Sequence, residues 1–325
     1  MFGRWLSLVL VVLCVAGAAE SQEIPSISLQ DLREKYALPE SQFEIIEGIE
    51  VHYLDQGAGD AVVLLHGSGL NLRAWDSLAE ALQPGFRVIR FDFPVAGLTA
   101  ADPAQRESMG RNLEILLGLL DFLELENVSL AGASSGGIIA FRFAAQFQDR
   151  VDRLILINSG GLPRTPQTNP ARVRPEMAEF AGMAVKPRAY FEAAFSYTMV
   201  GPRQPPDWLI DMAFDINRRE GFANELDRFN QRFATGQPKV VLAEVKSPTL
   251  ILWGRENRSL SHLDADVFEH WITGAPSLVK KYDGLGHWAY LEDPALVARD
   301  VLSFLNGDLD PQLTQTINKP YLDQQ

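Results

Sequence analysis

The sequence predicts an α/β fold, a mostly parallel, doubly wound sheet with helices on both faces and a helical segment inserted before its last strands. Three observations predict it. Short continuous apolar stretches recur at 61–65, at 154–157 within a strand read over 151–157, and at 250–253 within the strand that starts at Thr249, as in strands buried on both faces. Segments of helical period separate them, such as the one that puts Leu113, Leu116, Leu117, Leu120 and Leu123 on one face. From 161 to 246 the alternation breaks into proline-rich connections and helical pieces.

Taken in order, residues 43–54 read as two short strands around Glu47-Gly48, and 61–65 as a buried strand that ends at His66-Gly67. A helical stretch over 72–82, a strand over 86–91 and the long leucine-faced helix follow. The strand at 128–131 runs into Gly132, a helix covers 135–147, and 151–157 is the next strand. Strand alternating with helix implies parallel neighbours joined by crossovers. Helical pieces at 207–217 and 222–233 fill the interruption, the strand signal returns at 249, and the last strand, 278–282, precedes Gly286-His287 and a helix over 294–305. The expected partition is a signal peptide at 1–18, a core made of 19–160 and 247–306, a helical cap at 161–246 and a polar tail at 307–325.

With 325 residues, 46% of them hydrophobic, the chain can bury a sizeable core. A net charge of −13 argues against a nucleic-acid partner, which clustered Lys and Arg would have to hold. The segment 161–246 differs, carrying 12 Lys and Arg against 10 Asp and Glu, so a slightly basic cap on an acidic body is compatible with an anionic small-molecule substrate. Arg4, the apolar run over 6–15 and the small residues Ala16-Gly17-Ala18-Ala19 have the charge, core and exit of a signal peptide cleaved near Ala18. The run is shorter than the roughly 20 residues that span a bilayer, so a secreted or periplasmic chain with no stable membrane span after cleavage is expected. The single cysteine, Cys14, lies inside that leader, which leaves the mature chain without a disulfide.

Gly132-Ala133-Ser134-Ser135-Gly136 fits G-x-S-x-G between a predicted strand and a predicted helix, the context that gives the motif meaning. A strand turning sharply into a helix strains the serine backbone and pushes its hydroxyl into open space, beside the positive end of the helix. A hydroxyl needs a base to take its proton, and His287, after the last predicted strand, is the best candidate of five histidines. His66-Gly67-Ser68-Gly69 follows a buried strand with flexible backbone, so the amides of Ser68 and Ser135 are assigned to an oxyanion hole. His52, His262 and His270 are read as structural; they lack metal-ligand spacing, and neither a metal nor a cofactor is called for.

These segments, with Asp92, Pro94 and Gly97 in the stretch Arg90 to Thr99, resemble the α/β-hydrolase superfamily over about 43–306. In detail the chain is similar to its cap-bearing serine esterases and carbon–carbon bond hydrolases, although Val95 stands where that stretch usually has a glycine. The resemblance implies an α/β-hydrolase fold and a nucleophile–acid–histidine triad, with the acid three residues past Gly254. That position holds Asn257, and the superfamily's other acid site, after the sixth strand, holds Asn158 and Ser159. An amide cannot compensate an imidazolium by charge and can present the wrong face to the ring; one serine protease loses about 10⁴ in rate on this change. Glu256 is the nearest substitute carboxylate, with Asp264 and Asp266 further on. The leading expectation is hydrolysis of a carboxylic ester or related acyl compound through an acyl-Ser134 intermediate. A serine nucleophile argues against the aspartate-based haloalkane dehalogenases and epoxide hydrolases. Carbon–carbon bond hydrolysis is the alternative within the fold, and a binding protein with weakened turnover the alternative outside it.

Overall fold

The computed structural model describes residues 24–163, 175–180, 182–183, 185–200, 203–234 and 236–309. The leader expected at 1–18 and the tail beyond 309 lie outside the described residues. Eight strands form one sheet: β1 (Gln42–Ile46), β2 (Ile49–Gly57), β3 (Ala61–Leu65), β4 (Arg87–Phe91), β5 (Val128–Ala133), β6 (Val151–Ile157), β7 (Thr249–Gly254) and β8 (Ser277–Tyr282). Their spatial order is β1-β2-β4-β3-β5-β6-β7-β8. β1 and β2 form a hairpin, β2 pairs antiparallel with β4, and every pairing from β4 to β8 is parallel.

Alternate residues of the central strands feed two separate cores. Val63, Leu65, Leu130, Leu154, Leu156 and Ile251 face one side, against α3 (Met109–Phe122), α4 (Ser135–Gln146) and α10 (Asp264–Trp271). Val62, Leu64, Ala131, Ile155, Ile157 and Leu250 face the other, against α2 (Asp76–Leu82) and α12 (Pro294–Leu305). A period of two along each strand therefore produces a three-layer molecule, and both faces of the sheet are apolar because both are covered. The remaining helix before the sheet is α1 (Leu29–Tyr36), and α11 (Ala289–Glu292) leads into α12.

Between β6 and β7 the chain leaves the sheet for α5 (Pro175–Ala178), α6 (Arg188–Thr198), α7 (Asp207–Asn217), α8 (Phe222–Arg232) and α9 (Pro238–Ala243). Apolar side chains of α6 and α7, such as Phe195 and Leu209, join the second core, and Arg228 of α8 holds the buried Glu107 of the body through two bonds, at 2.5 and 2.8 Å. Among the described residues no helix is long and apolar enough to cross a membrane.

The carboxyl ends of the parallel strands converge. Gly67 and Ser68 follow β3, Ser134 follows β5, Asn158 follows β6, Asn257 lies three residues past β7, and His287 follows β8. This is where open α/β sheets place ligands. The loop after β4 is shaped by Asp92, which accepts from His52 Nδ1 at 2.7 Å, Leu72 N at 2.7 Å and Leu98 N at 2.8 Å. Burial alone would raise the Asp92 pKa, but His52 and these donors hold it below the usual carboxylate range. Gly97 sits at φ 50°, and a methyl group there would overlap the Asp92 carboxylate. Gly97→Ala is expected to destabilise the fold by about 3 kcal/mol or more, since it adds left-handed strain and displaces a buried, bonded carboxylate. Denaturant unfolding monitored by tryptophan fluorescence would check it, and an unchanged midpoint would contradict the assignment.

Candidate active site

Ser134 is the pivot between β5 and α4, with φ 53° and ψ −118°, a left-handed backbone that a non-glycine residue rarely holds. Its N–H donates to Ile157 O at 3.1 Å, and its carbonyl accepts from Gly137 N at 3.1 Å and Gly160 N at 2.9 Å. The strain is thus held by the neighbouring strand end and the first turn of α4. The turn closes because a side chain at position 136 would run into the carbonyl oxygens of Leu65 and His66. At position 67, a Cβ would meet the Trp288 ring and Ser134 Cβ, so glycine lets the loop after β3 approach the hydroxyl.

His287 Nε2 lies 3.0 Å from Ser134 Oγ, and His287 Nδ1 lies 3.2 Å from Asn257 Oδ1. The imidazole is buried and stands edge-on to the Trp288 ring at 4.4 Å between centroids. Its loop is held by backbone on every side. His287 N donates to Thr198 O at 2.9 Å. The buried carboxylate of Glu292 accepts from Gly286 N at 2.8 Å, Trp288 N at 3.1 Å and Val200 N at 2.9 Å. Burial pushes the Glu292 pKa above the usual range, and these three donors work against that shift. Thr198 and Val200 belong to the segment inserted between β6 and β7, so that segment braces the histidine directly.

The structure brings together Ser134, His287 and Asn257, but not Glu256. The turn in which Asn257 N donates to Gly254 O carries the Asn257 side chain inward and leaves Glu256, the possible substitute acid, an exposed carboxylate. Asn257 Oδ1 also accepts from Ser259 N at 2.9 Å and Leu260 N at 3.0 Å, while its Nδ2 donates to Asn158 Oδ1 at 3.0 Å. Of the other carboxylates singled out in the sequence, Asp266 pairs with Lys281 at 2.5 Å, and Asp264 lines a cavity with Ser134 and His287.

Ser68 Oγ donates to Ser135 Oγ at 2.9 Å, which sets the two proposed oxyanion residues side by side across the Ser134 turn. Ser135 is the first residue of α4, where backbone N–H groups have no partner within the helix. His66 lies beneath this loop, with Nδ1 3.0 Å from Gly67 O and Nε2 accepting from Phe93 N at 3.3 Å. Burial lowers its pKa and keeps the ring neutral, the state those two bonds require.

Two hollows meet at Ser135. One, of about 270 Å³, is lined by Ser134, His287, Ser159, Ser259, Leu260 and Asp264. The other, of about 500 Å³, is mainly apolar, with Phe93, Val95, Ile139, Phe191 and Phe229 in its wall and Ser68, Ser135, Asn112, Lys186 and Asn217 among its polar points. Val95 adopts φ 65°, a genuine strain for a β-branched residue in the wall of the hollow.

Residues 60–294 match the family model described as alpha/beta hydrolase fold. The chain belongs to the α/β-hydrolase family. It is accordingly a hydrolase. Over 275 residues it is 30% identical to a 2-hydroxy-6-oxononadienedioate/2-hydroxy-6-oxononatrienedioate hydrolase of Pseudomonas putida, covering 79% of this chain and 92% of that one. The fold is similar to that of a meta-cleavage product hydrolase from Pseudomonas fluorescens IP01, with a TM-score of 0.65, 21% identity, and 82% and 98% of the two chains covered. A thermophilic esterase from Thermogutta terrifontis gives a TM-score of 0.67 at 23% identity, with the same 82% and 98% covered.

Sequence reasoning missed Glu292, Thr198 and Val200. No local signal marks them, because their role arises from the approach of the inserted segment to the histidine loop. Glu292→Gln would put an amide N–H₂ against one of three backbone donors. It is expected to cost about 1–3 kcal/mol of stability and to lower turnover more than substrate affinity. Thermal unfolding together with steady-state kinetics would measure both, and full stability with full turnover would contradict the brace.

Proposed function

We propose that this hydrolase cleaves a small-molecule carboxylic ester or related acyl compound through an acyl intermediate on Ser134. The observation that carries the reading is the relay Ser134 Oγ–His287 Nε2 at 3.0 Å and His287 Nδ1–Asn257 Oδ1 at 3.2 Å, at the edge of two substrate-sized hollows. Ser134 Oγ attacks the acyl carbon while His287 Nε2 takes its proton; the backbone N–H groups of Ser68 and Ser135 donate to the developing oxyanion. His287 then gives that proton to the leaving oxygen. In the second half, water attacks the acyl carbon, His287 takes its proton, and Ser134 leaves with the proton returned. The 500 Å³ hollow suits an apolar group attached to the acyl carbon or the leaving oxygen, and closing over it would be the work of the helical cap.

Carbon–carbon bond hydrolysis is the second reading, favoured by the 30% identity to the Pseudomonas putida enzyme. A dienedioate carries two carboxylates, and Lys186 in the wall of the larger hollow is a cation that one of them could meet.

Hydrolysis of p-nitrophenyl acetate and butyrate by the unmodified protein should exceed that of Ser134→Ala by at least about 10³-fold, the scale lost when a serine nucleophile is removed. Equal rates would overturn the acyl-enzyme reading. A 2-hydroxy-6-oxo-dienedioate turned over far faster than either ester would favour the carbon–carbon reading.

A further inference from the structure

We propose that Asn158 and Asn257 act as one locked amide pair that selects the Nδ1–H form of His287, and that position 257 fits this lock only as an amide. The proposal rests on the reading of Ser134 and His287 as nucleophile and base. A general base must present a bare Nε2 to the serine hydroxyl, so its proton has to sit on Nδ1. An asparagine enforces this with its oxygen toward the ring; rotated by half a turn, it offers N–H₂ and forces the opposite tautomer. The rotation is blocked at Asn257 Oδ1, which already accepts from Ser259 N and Leu260 N, because N–H₂ there would face two N–H groups. It is blocked again at Asn257 Nδ2, which donates to Asn158 Oδ1 at 3.0 Å.

Asn158 is itself fixed by backbone from two other strand ends. Its Oδ1 accepts from Gly254 N at 3.0 Å, and its Nδ2 donates to His287 O at 3.0 Å and Gly286 O at 3.3 Å. Turning it over would set donor against donor at Gly254 and oxygen against two carbonyls. Asn158 is fully buried, and its φ of 45° is a conformation that asparagine tolerates better than most residues. It therefore presents a permanent acceptor to position 257. An aspartate at 257 would bring a second oxygen to about the 3.0 Å that now separates Nδ2 from Asn158 Oδ1, acceptor against acceptor. Asn158 is a positioning residue, acting on the base through residue 257 and through the carbonyl of His287.

The test uses the full chain labelled with ¹⁵N-histidine, with the His287 resonances assigned by their loss in His287→Gln. The unmodified protein should show a protonated Nδ1 and a bare Nε2. In Asn158→Gly, which removes one of the two restraints on the Asn257 amide without opposing the positive φ, the Nε2–H form should appear as a minority beside the Nδ1–H form, and kcat should fall by about twofold or more, with KM changed by less than about threefold. A double-mutant cycle supplies the second measurement. Asn257→Asp should raise kcat by about threefold or less beside Asn158, but by about tenfold or more in the Asn158→Gly background, where water can occupy the vacated space and donate to the new carboxylate. An Nε2–H tautomer in the unmodified protein, a tautomer unmoved by Asn158→Gly, or equal gains in the two backgrounds would each overturn the proposal. The tautomer is read without substrate, so absent ester turnover would defeat the hydrolytic reading while leaving the amide lock to be judged by resonance.

Discussion

A strained serine held against an imidazole is the constraint on which the rest of this structure depends. Ser134 keeps a left-handed backbone only because the end of β6 and the first turn of α4 bind its N–H and carbonyl, and because glycine at 136 removes the side chain that would collide with the loop after β3. His287 keeps its place because Thr198, Glu292 and Asn158 hold the backbone around it. The two side chains meet at 3.0 Å although 153 positions separate them in the chain. Such over-determination is what allows backbone strain to persist at a functional site.

The neutral residue at the acid position changes how such a site works rather than whether it is assembled. In the serine protease where the acid was exchanged for asparagine, the large loss in rate came with the wrong tautomer. Here the amide is turned the productive way and held there by two backbone N–H groups and a second amide. Asn257 itself brings no charge to the imidazolium formed as the proton moves, while the buried carboxylate of Asp264 lines the same hollow as Ser134 and His287. With the base oriented for proton transfer by a neutral amide, turnover is expected, and its rate reports how far the surroundings of His287 replace the usual carboxylate.

Much of this was legible in the sequence because the signals were local. Apolar stretches at 61–65, 154–157 and 250–253 announced buried parallel strands, and the small residues around Ser134 announced a tight strand-to-helix turn. The family resemblance implied an acid position at Asn257, and the Asn257 side chain does reach the histidine. Glu256 was weighed beside it because a carboxylate is the expected chemistry, but the direction of a side chain in a turn depends on which backbone bond closes that turn. Asn158 was noted only for lacking a charge; that it bridges three strand ends requires knowing the order of β6, β7 and β8 in space. Val95 was visible as a departure from the glycine that the family resemblance implies, and its φ of 65° places a β-branched side chain in a backbone conformation that favours glycine.

The central claim, that Ser134 is a nucleophile activated by His287, is tested most directly by covalent labelling with a fluorophosphonate, which reacts at an activated serine oxygen with loss of fluoride. Intact-protein mass spectrometry with peptide mapping should find one adduct, on Ser134. The reaction should be absent in Ser134→Ala and at least about a hundredfold slower in His287→Ala, in line with the share of rate that general-base catalysis supplies. An adduct on another residue, or labelling at an unchanged rate without the histidine, would contradict the account.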